Sequence, residues 1–278
     1  MCTAAAYACV LLACLCDHDE TPPFIDLPFI DLPFIDLPFI EMRKCAMAEP
    51  ATLTWGQSTV DLLAELAAAG VQRKVVLVRH SAREFVAGRH DLENPLTDDG
   101  RAAASAFGAA LPTGFQWRGY ASPAERCQDT AKLALQAHEQ MGGLVTRVRP
   151  MEGLGVFYAL DQMKMFRIMQ GAGGLGPFLS LWISGAVPPD VMLNPQVAAN
   201  AIGRMLLQKL DEPGTDRRSA DLLVSHDMSL GLVRECLLGQ SWDRVGAVQF
   251  LDGLVAYRDH AGSWLVSPHG ERVPLHSA

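Results

Sequence analysis

The chain has 278 residues, 49% of them hydrophobic, enough to bury a sizeable core in one large domain or two small ones. Only 19% are charged, the net charge is -8, and no run of five or more basic residues occurs. These figures exclude a chain too polar to fold and speak against nucleic acid or an anionic membrane surface as partner. They leave room for an anionic ligand, because a few arginines gathered at one site dominate the local field.

The first 46 residues differ from the rest. Residues 1–16, MCTAAAYACVLLACLC, form an apolar run too short to span a bilayer. The run resembles a signal-peptide core, and Leu11-Leu12-Ala13-Cys14 loosely resembles a lipoprotein cleavage site, but no Lys or Arg precedes it. A five-residue repeat follows: PFIDL at 23–27, 28–32 and 33–37, then PFIEM at 38–42. A proline at every fifth position removes backbone donors and forbids a continuous helix. A period of five builds no known repeat core, so residues 1–46 are expected to form a low-complexity, disordered tail. Met47 opens MAEPATLTWG, which reads as an ordinary amino terminus, so 47–278 is expected to be the folded domain.

Cys2, Cys9, Cys14, Cys16 and Cys45 crowd the tail, leaving Cys127 and Cys236 in the body with neither disulfide nor zinc spacing. A reducing, cytoplasmic setting is expected. The tail holds 2 basic and 7 acidic residues, so 47–278 carries 21 against 24 and a net charge of -3.

Within the body, STVDLLAELAAA (58–69) has apolar residues at helical spacing, with Ser58 or Thr59 as cap and Gly70 as stop. KVVLV (74–78) suits a buried parallel strand. Thr97 caps a helix running through Ala110, favoured by Asp98 and Asp99 in its first turn. A strand near 117–121 precedes a helix from about Pro123 to Gln140, and another strand is expected at 144–148. Residues 159–211 read as mostly helical, interrupted by GAGGLGP and AVPPD. DLLVS (221–225) is a second buried strand, followed by a helix from Asp227 to about Leu238. Two or three strands with turns at Asp252-Gly253 and Ala261-Gly262 close the chain. Such alternation predicts an α/β three-layer sandwich around a mainly parallel sheet, with ligands beyond the carboxyl ends of its strands.

Polar clusters stand at those ends. Arg79-His80-Ser81-Ala82-Arg83 follows KVVLV, and two guanidinium forks beside an imidazole suit an anion. Their charge favours the neutral ring, whose free nitrogen can attack phosphorus. Ser225-His226-Asp227 follows DLLVS, and Ser122-Pro123-Ala124-Glu125-Arg126 opens a helix that continues to Thr130-Ala131. Taken singly, each cluster is explained as well by a helix start or a solvated side chain.

Together, and in chain order, VVLVRH, Leu96-Thr97-x-x-Gly100-x-x-Ala103, SPAERCQDTA and SHD resemble the histidine phosphatase superfamily over about residues 72–268. Ser81 stands where that family usually has Gly; its hydroxyl is expected to contact phosphate or narrow the pocket. The resemblance implies a phosphoglycerate mutase-like fold, with His80 as phosphohistidine nucleophile and Arg79, Arg126 and His226 completing the phosphate pocket. Arg83 matches the second arginine of the acid-phosphatase-like branch, where the Asp of a His-Asp pair, here Asp227, protonates the leaving group. The body is the size of the mutase-like branch, where that acid is a Glu beyond the third strand, here Glu152. Asp227 is the preferred assignment and Glu152 the alternative.

The expected activity is hydrolysis of a small phosphorylated substrate. A phosphoglycerate-type mutase and a non-catalytic phospholigand-binding module are the alternatives. No cofactor or metal is implied, since arginines supply the positive charge. His90, His138, His260, His269 and His276 show no ligand spacing. Gly171-Ala172-Gly173-Gly174-Leu175-Gly176 satisfies a dinucleotide-loop pattern but follows a helical stretch rather than a strand. Met163, Met165 and Met169 read as helix packing, and Phe157, Tyr158 and Trp182 as core.

Overall fold

The computed structural model describes residues 53–85, 93–212 and 218–276. The expected tail at 1–46, Met47 and His90 lie outside the described residues.

Strand β1 (Arg73–Arg79) is the centre of the sheet. Its Val75, Val76, Leu77 and Val78 are fully buried, each contributing roughly 1.5–3 kcal/mol as an upper estimate. The run is continuous because both faces of the sheet are covered. Val75 and Leu77 face one apolar core, and Val76 and Val78 face the other. The first core packs against α4 (Gln162–Ala172), α5 (Leu175–Ile183), α6 (Pro195–Asp211) and α7 (Asp227–Cys236). The second packs against α1 (Gln57–Ala68), α2 (Asp98–Ala109) and α3 (Glu125–Gln140). Two cores on opposite faces of one sheet make the predicted three layers.

On one side β1 pairs in parallel with β5 (Ser219–Ser225), which pairs in parallel with β2 (Gln116–Ala121). The strand expected at 144–148 is two short pieces, β3 (Leu144–Val145) and β4 (Arg149–Pro150), both parallel to β2. On the other side β1 meets β6 (Gly253–Asp259) antiparallel, and β7 (Gly262–Val266) and β8 (Val273–Pro274) continue antiparallel outward. The sheet is thus mainly parallel, with an antiparallel margin from the carboxyl-terminal strands.

Some local readings change. Helix α1 begins at Gln57, and its cap is Gly56, in the left-handed region at φ 80°, not Ser58 or Thr59. The Thr59 hydroxyl instead donates to the Leu251 carbonyl at 3.0 Å. A short helix, α8 (Trp242–Val245), was not anticipated. The glycine-rich stretch 171–176 joins α4 to α5 and follows no strand, as its context indicated.

A buried ion-pair cluster holds the sheet together away from the strand ends. Asp221, in the centre of β5, takes the Arg118 fork at 2.6 and 2.8 Å and Arg73 at 2.8 Å. Among the described residues, no helix is long and apolar enough to cross a membrane.

Candidate active site

The parallel pairing of β1 with β5 puts Arg79 opposite Ser225, so His80 and His226 leave the sheet side by side. The ladder continues one step, His80 N–H donating to the Ser225 carbonyl at 2.9 Å. Strand β2 ends beside them, with Ser122 N–H donating to the Val224 carbonyl at 2.9 Å. Three strand ends therefore deliver His80, Ser122 and His226 to one place. The two imidazole centroids lie 5.6 Å apart.

Helix α3 begins there, and Arg126 in its first turn is 3% exposed. Its Nε donates to His80 Nε2 at 3.1 Å, and its Nη2 lies 3.3 Å from His226 Nδ1. A guanidinium only donates, so both ring nitrogens accept and both rings are held neutral. His226 Nε2 then donates to the Ser122 hydroxyl at 2.9 Å. On the far side of His80, Nδ1 donates to the Ser81 carbonyl at 2.8 Å. The proton sits on Nδ1, and the Nε2 lone pair faces Arg126. Burial above all, and then the charge of Arg126, hold the His80 pKa well below the usual imidazole range.

The loop carrying His80 is fixed by the residues that carried the resemblance. Thr130 Oγ accepts from Ser81 N–H at 3.1 Å and donates to the Arg126 carbonyl at 2.7 Å, tying the His80 loop to the Arg126 turn. The Ser81 hydroxyl does not reach toward a phosphate, as expected above, but donates to the Gly100 carbonyl at 2.7 Å. Gly100 lies so close that a Cβ there would stand 2.1 Å from the Ala82 carbonyl oxygen. That approach requires glycine. The predicted cap holds, with Thr97 Oγ accepting from Gly100 N–H at 2.9 Å.

Arg79 turns its Nη2 to Asp227 at 2.9 Å and its Nη1 to the Val248 carbonyl at 2.7 Å. Its guanidinium stacks over Phe250 at 4.2 Å. Burial lowers its pKa, and the Asp227 charge opposes that. Asp227 also accepts from its neighbour's N–H, that of Met228, at 2.8 Å, as a helix start favours.

His80, Arg83, Arg126, His226 and Asp227 line one cavity of about 290 Å³. Arg79 and Glu152 are not among its lining residues; Glu152 is exposed in a single 3-10 turn, Glu152–Leu154. The sequence reading missed Phe250; Met165 and Met169 pack in the apolar core as read and also line this cavity, while Met163, read as packing, is exposed. Tyr158 and Trp182 are core, as read, whereas Phe157, read with them, is exposed. A wider groove of about 900 Å³ beside Arg204, Arg258 and Trp264 shares none of these residues. Among the described residues no group of three or more His, Cys, Asp or Glu side chains could hold a metal ion.

Residues 75–154 match the sequence profile of the histidine phosphatase superfamily (branch 1). The matched span runs from β1 through Arg126 to the turn at Glu152. No curated protein matches the chain. Among solved structures it is similar to a phosphoglycerate mutase from Bacillus anthracis, at 18% identity, covering 70% of this chain and 91% of that one, with a TM-score of 0.49. It is also similar to a phosphoserine phosphatase from Entamoeba histolytica, at 18% identity, 70% and 95% coverage and a TM-score of 0.48. A mycobacterial glucosyl-3-phosphoglycerate phosphatase shows 20% identity, 66% and 89% coverage and a TM-score of 0.42.

Proposed function

We propose that this protein is a phosphatase hydrolysing small phosphomonoesters through a phosphohistidine on His80. The observation that carries the proposal is the locked tautomer. With Nδ1–H bound to the Ser81 carbonyl, Nε2 presents its lone pair beside Arg126 in an open cavity.

In the first step Nε2 attacks phosphorus, the P–O ester bond breaks, and Asp227 gives the departing alkoxide a proton. Arg126, Arg79 and Arg83 stabilise the charge on the phosphoryl oxygens, and His226 accompanies them. In the second step water attacks phosphorus, Asp227 takes its proton, the P–N bond breaks, and inorganic phosphate leaves neutral His80 behind. Asp227 is the better acid because it lines the cavity, whereas Glu152 is exposed outside it. At rest Asp227 pairs with Arg79. Phosphoryl oxygens arriving at Arg79 loosen that pairing, and a substrate monoanion, with a second pKa near 6, brings the proton.

Turnover of a chromogenic aryl phosphate in the presence of phosphoenzyme trapping tests the reading. The wild type accumulates an acid-labile, base-stable label, and His80→Ala loses both label and turnover while keeping its circular dichroism. Robust turnover by a folded His80→Ala protein rules the mechanism out.

A further inference from the structure

Beyond its polar floor, the cavity at His80 is walled by side chains that offer an anion nothing. Val156 comes from the segment after the 3-10 turn, Met165, Phe166 and Met169 from one face of α4, Leu175 from the start of α5, and Met228 from α7. The remaining polar wall is the two uncharged amides of Gln162 and Gln170. Arg83 and Arg126 are the cations among the described lining residues, and one phosphoryl dianion matches both. A substrate with a carboxylate or second phosphate on its alcohol side would have to set that charge against thioethers and a phenyl ring, which is costly without a partner.

We infer that the alcohol half of the substrate is uncharged and apolar, an alkyl or aryl group. The inference rests on the phosphatase reading above and names its substrate class. Size follows from the cavity. At about 290 Å³ it holds roughly ten water-sized volumes of ~30 Å³. The phosphate head takes five non-hydrogen atoms, the ester oxygen included, leaving room for roughly five more, a group on the order of pentyl or phenyl, at the same packing. Three methionines suit such a wall, because unbranched thioethers reshape around different apolar groups.

The experiment is a series of alkyl phosphates, ethyl, butyl and hexyl, whose leaving groups differ little in basicity, beside glycerol 3-phosphate and 3-phosphoglycerate. Full burial raises kcat/KM about fourfold per methylene. With a wall that is partly open, a rise of at least tenfold from ethyl to hexyl is expected, with 3-phosphoglycerate slowest. Phe166→Ala flattens that slope, lowering the hexyl ester more than the ethyl ester. A flat series, or a preference for 3-phosphoglycerate, while phosphohistidine still forms, overturns the apolar assignment alone. Absence of phosphohistidine with every ester overturns the phosphatase reading, and this inference falls with it.

Discussion

Replacing Asp227 by Asn separates chemistry from structure at this site. The side-chain oxygen that accepts from Met228 N–H survives in Asn, so that hydrogen bond at the start of α7 is kept. What disappears is a titratable proton and the charge facing Arg79. The loss of general acid catalysis is worth on the order of 100- to 10,000-fold, and it falls on substrates whose leaving alkoxide needs a proton. The lost ion pair acts in the opposite sense. Arg79 and Asp227 are 17% and 33% exposed, so their pairing is worth at most about 1 kcal/mol. Freed for the phosphoryl group, Arg79 can tighten phosphate binding by up to roughly fivefold, the same energy expressed as affinity. Asp227→Asn should therefore cut kcat/KM for hexyl phosphate, which reports the phosphorylation step, by at least 100-fold, while 4-nitrophenyl phosphate keeps most of its kcat/KM, dephosphorylation being slowed alike for both. Steady-state kinetics on both esters, with Glu152→Gln alongside, reads this directly. Equal losses on the two esters refute the acid role of Asp227, and a leaving-group-dependent loss in Glu152→Gln transfers it to Glu152.

The His80 pKa lies below the imidazole norm, so single-turnover phosphorylation by an aryl ester should stay undiminished as pH falls through 6.5; Arg126→Ala, removing the second cause of the shift, should move the acid limb upward. An acid limb at or above 6.5 in the wild type contradicts this. The sign for stability follows: below pH 6.5 the unfolded chain binds the His80 proton and the folded one does not, so this contribution, complete above 6.5, is lost as pH falls toward the folded value. Asp221→Asn leaves Arg73 and Arg118 without their buried carboxylate and should cost roughly 3–5 kcal/mol in urea denaturation; a loss below about 1 kcal/mol shows that the pairs are dispensable. Deleting residues 1–46 should leave turnover and thermal midpoint unchanged, because a proline-periodic repeat supplies no regular element to a core; a marked fall in either shows that the repeat docks on the domain.

The parts of the site that sit on strand ends were legible because a buried parallel strand announces itself as a continuous apolar run. KVVLV and DLLVS therefore located His80 and His226 and their common edge. Thr97 was legible as a cap because capping is local. The missed features depend on residues distant in sequence. Phe250 reaches Arg79 across 171 positions, and nothing around it marks a site. Met165 and Met169 look the same in sequence whether a helix packs against a core or walls a pocket. The Gly56 cap escaped because Ser58 and Thr59 are better capping residues, and Thr59 was drawn away by the distant Leu251 carbonyl.

The hydrogen bond from His80 Nδ1 to the Ser81 carbonyl has a consequence for how this site can change. The acceptor belongs to the main chain, so every amino acid at position 81 supplies it, and the difference between Ser and the Gly usual in the superfamily leaves it untouched. Side-chain scanning is blind to it; only replacing the peptide unit itself, for instance by a thioamide, would weaken it. It also sets the isomer of the proposed phosphohistidine, since with Nδ1 protonated the phosphoryl group would settle on Nε2. Antibodies that discriminate the two phosphohistidine isomers should recognise this protein with the Nε2 reagent and pass over it with the other.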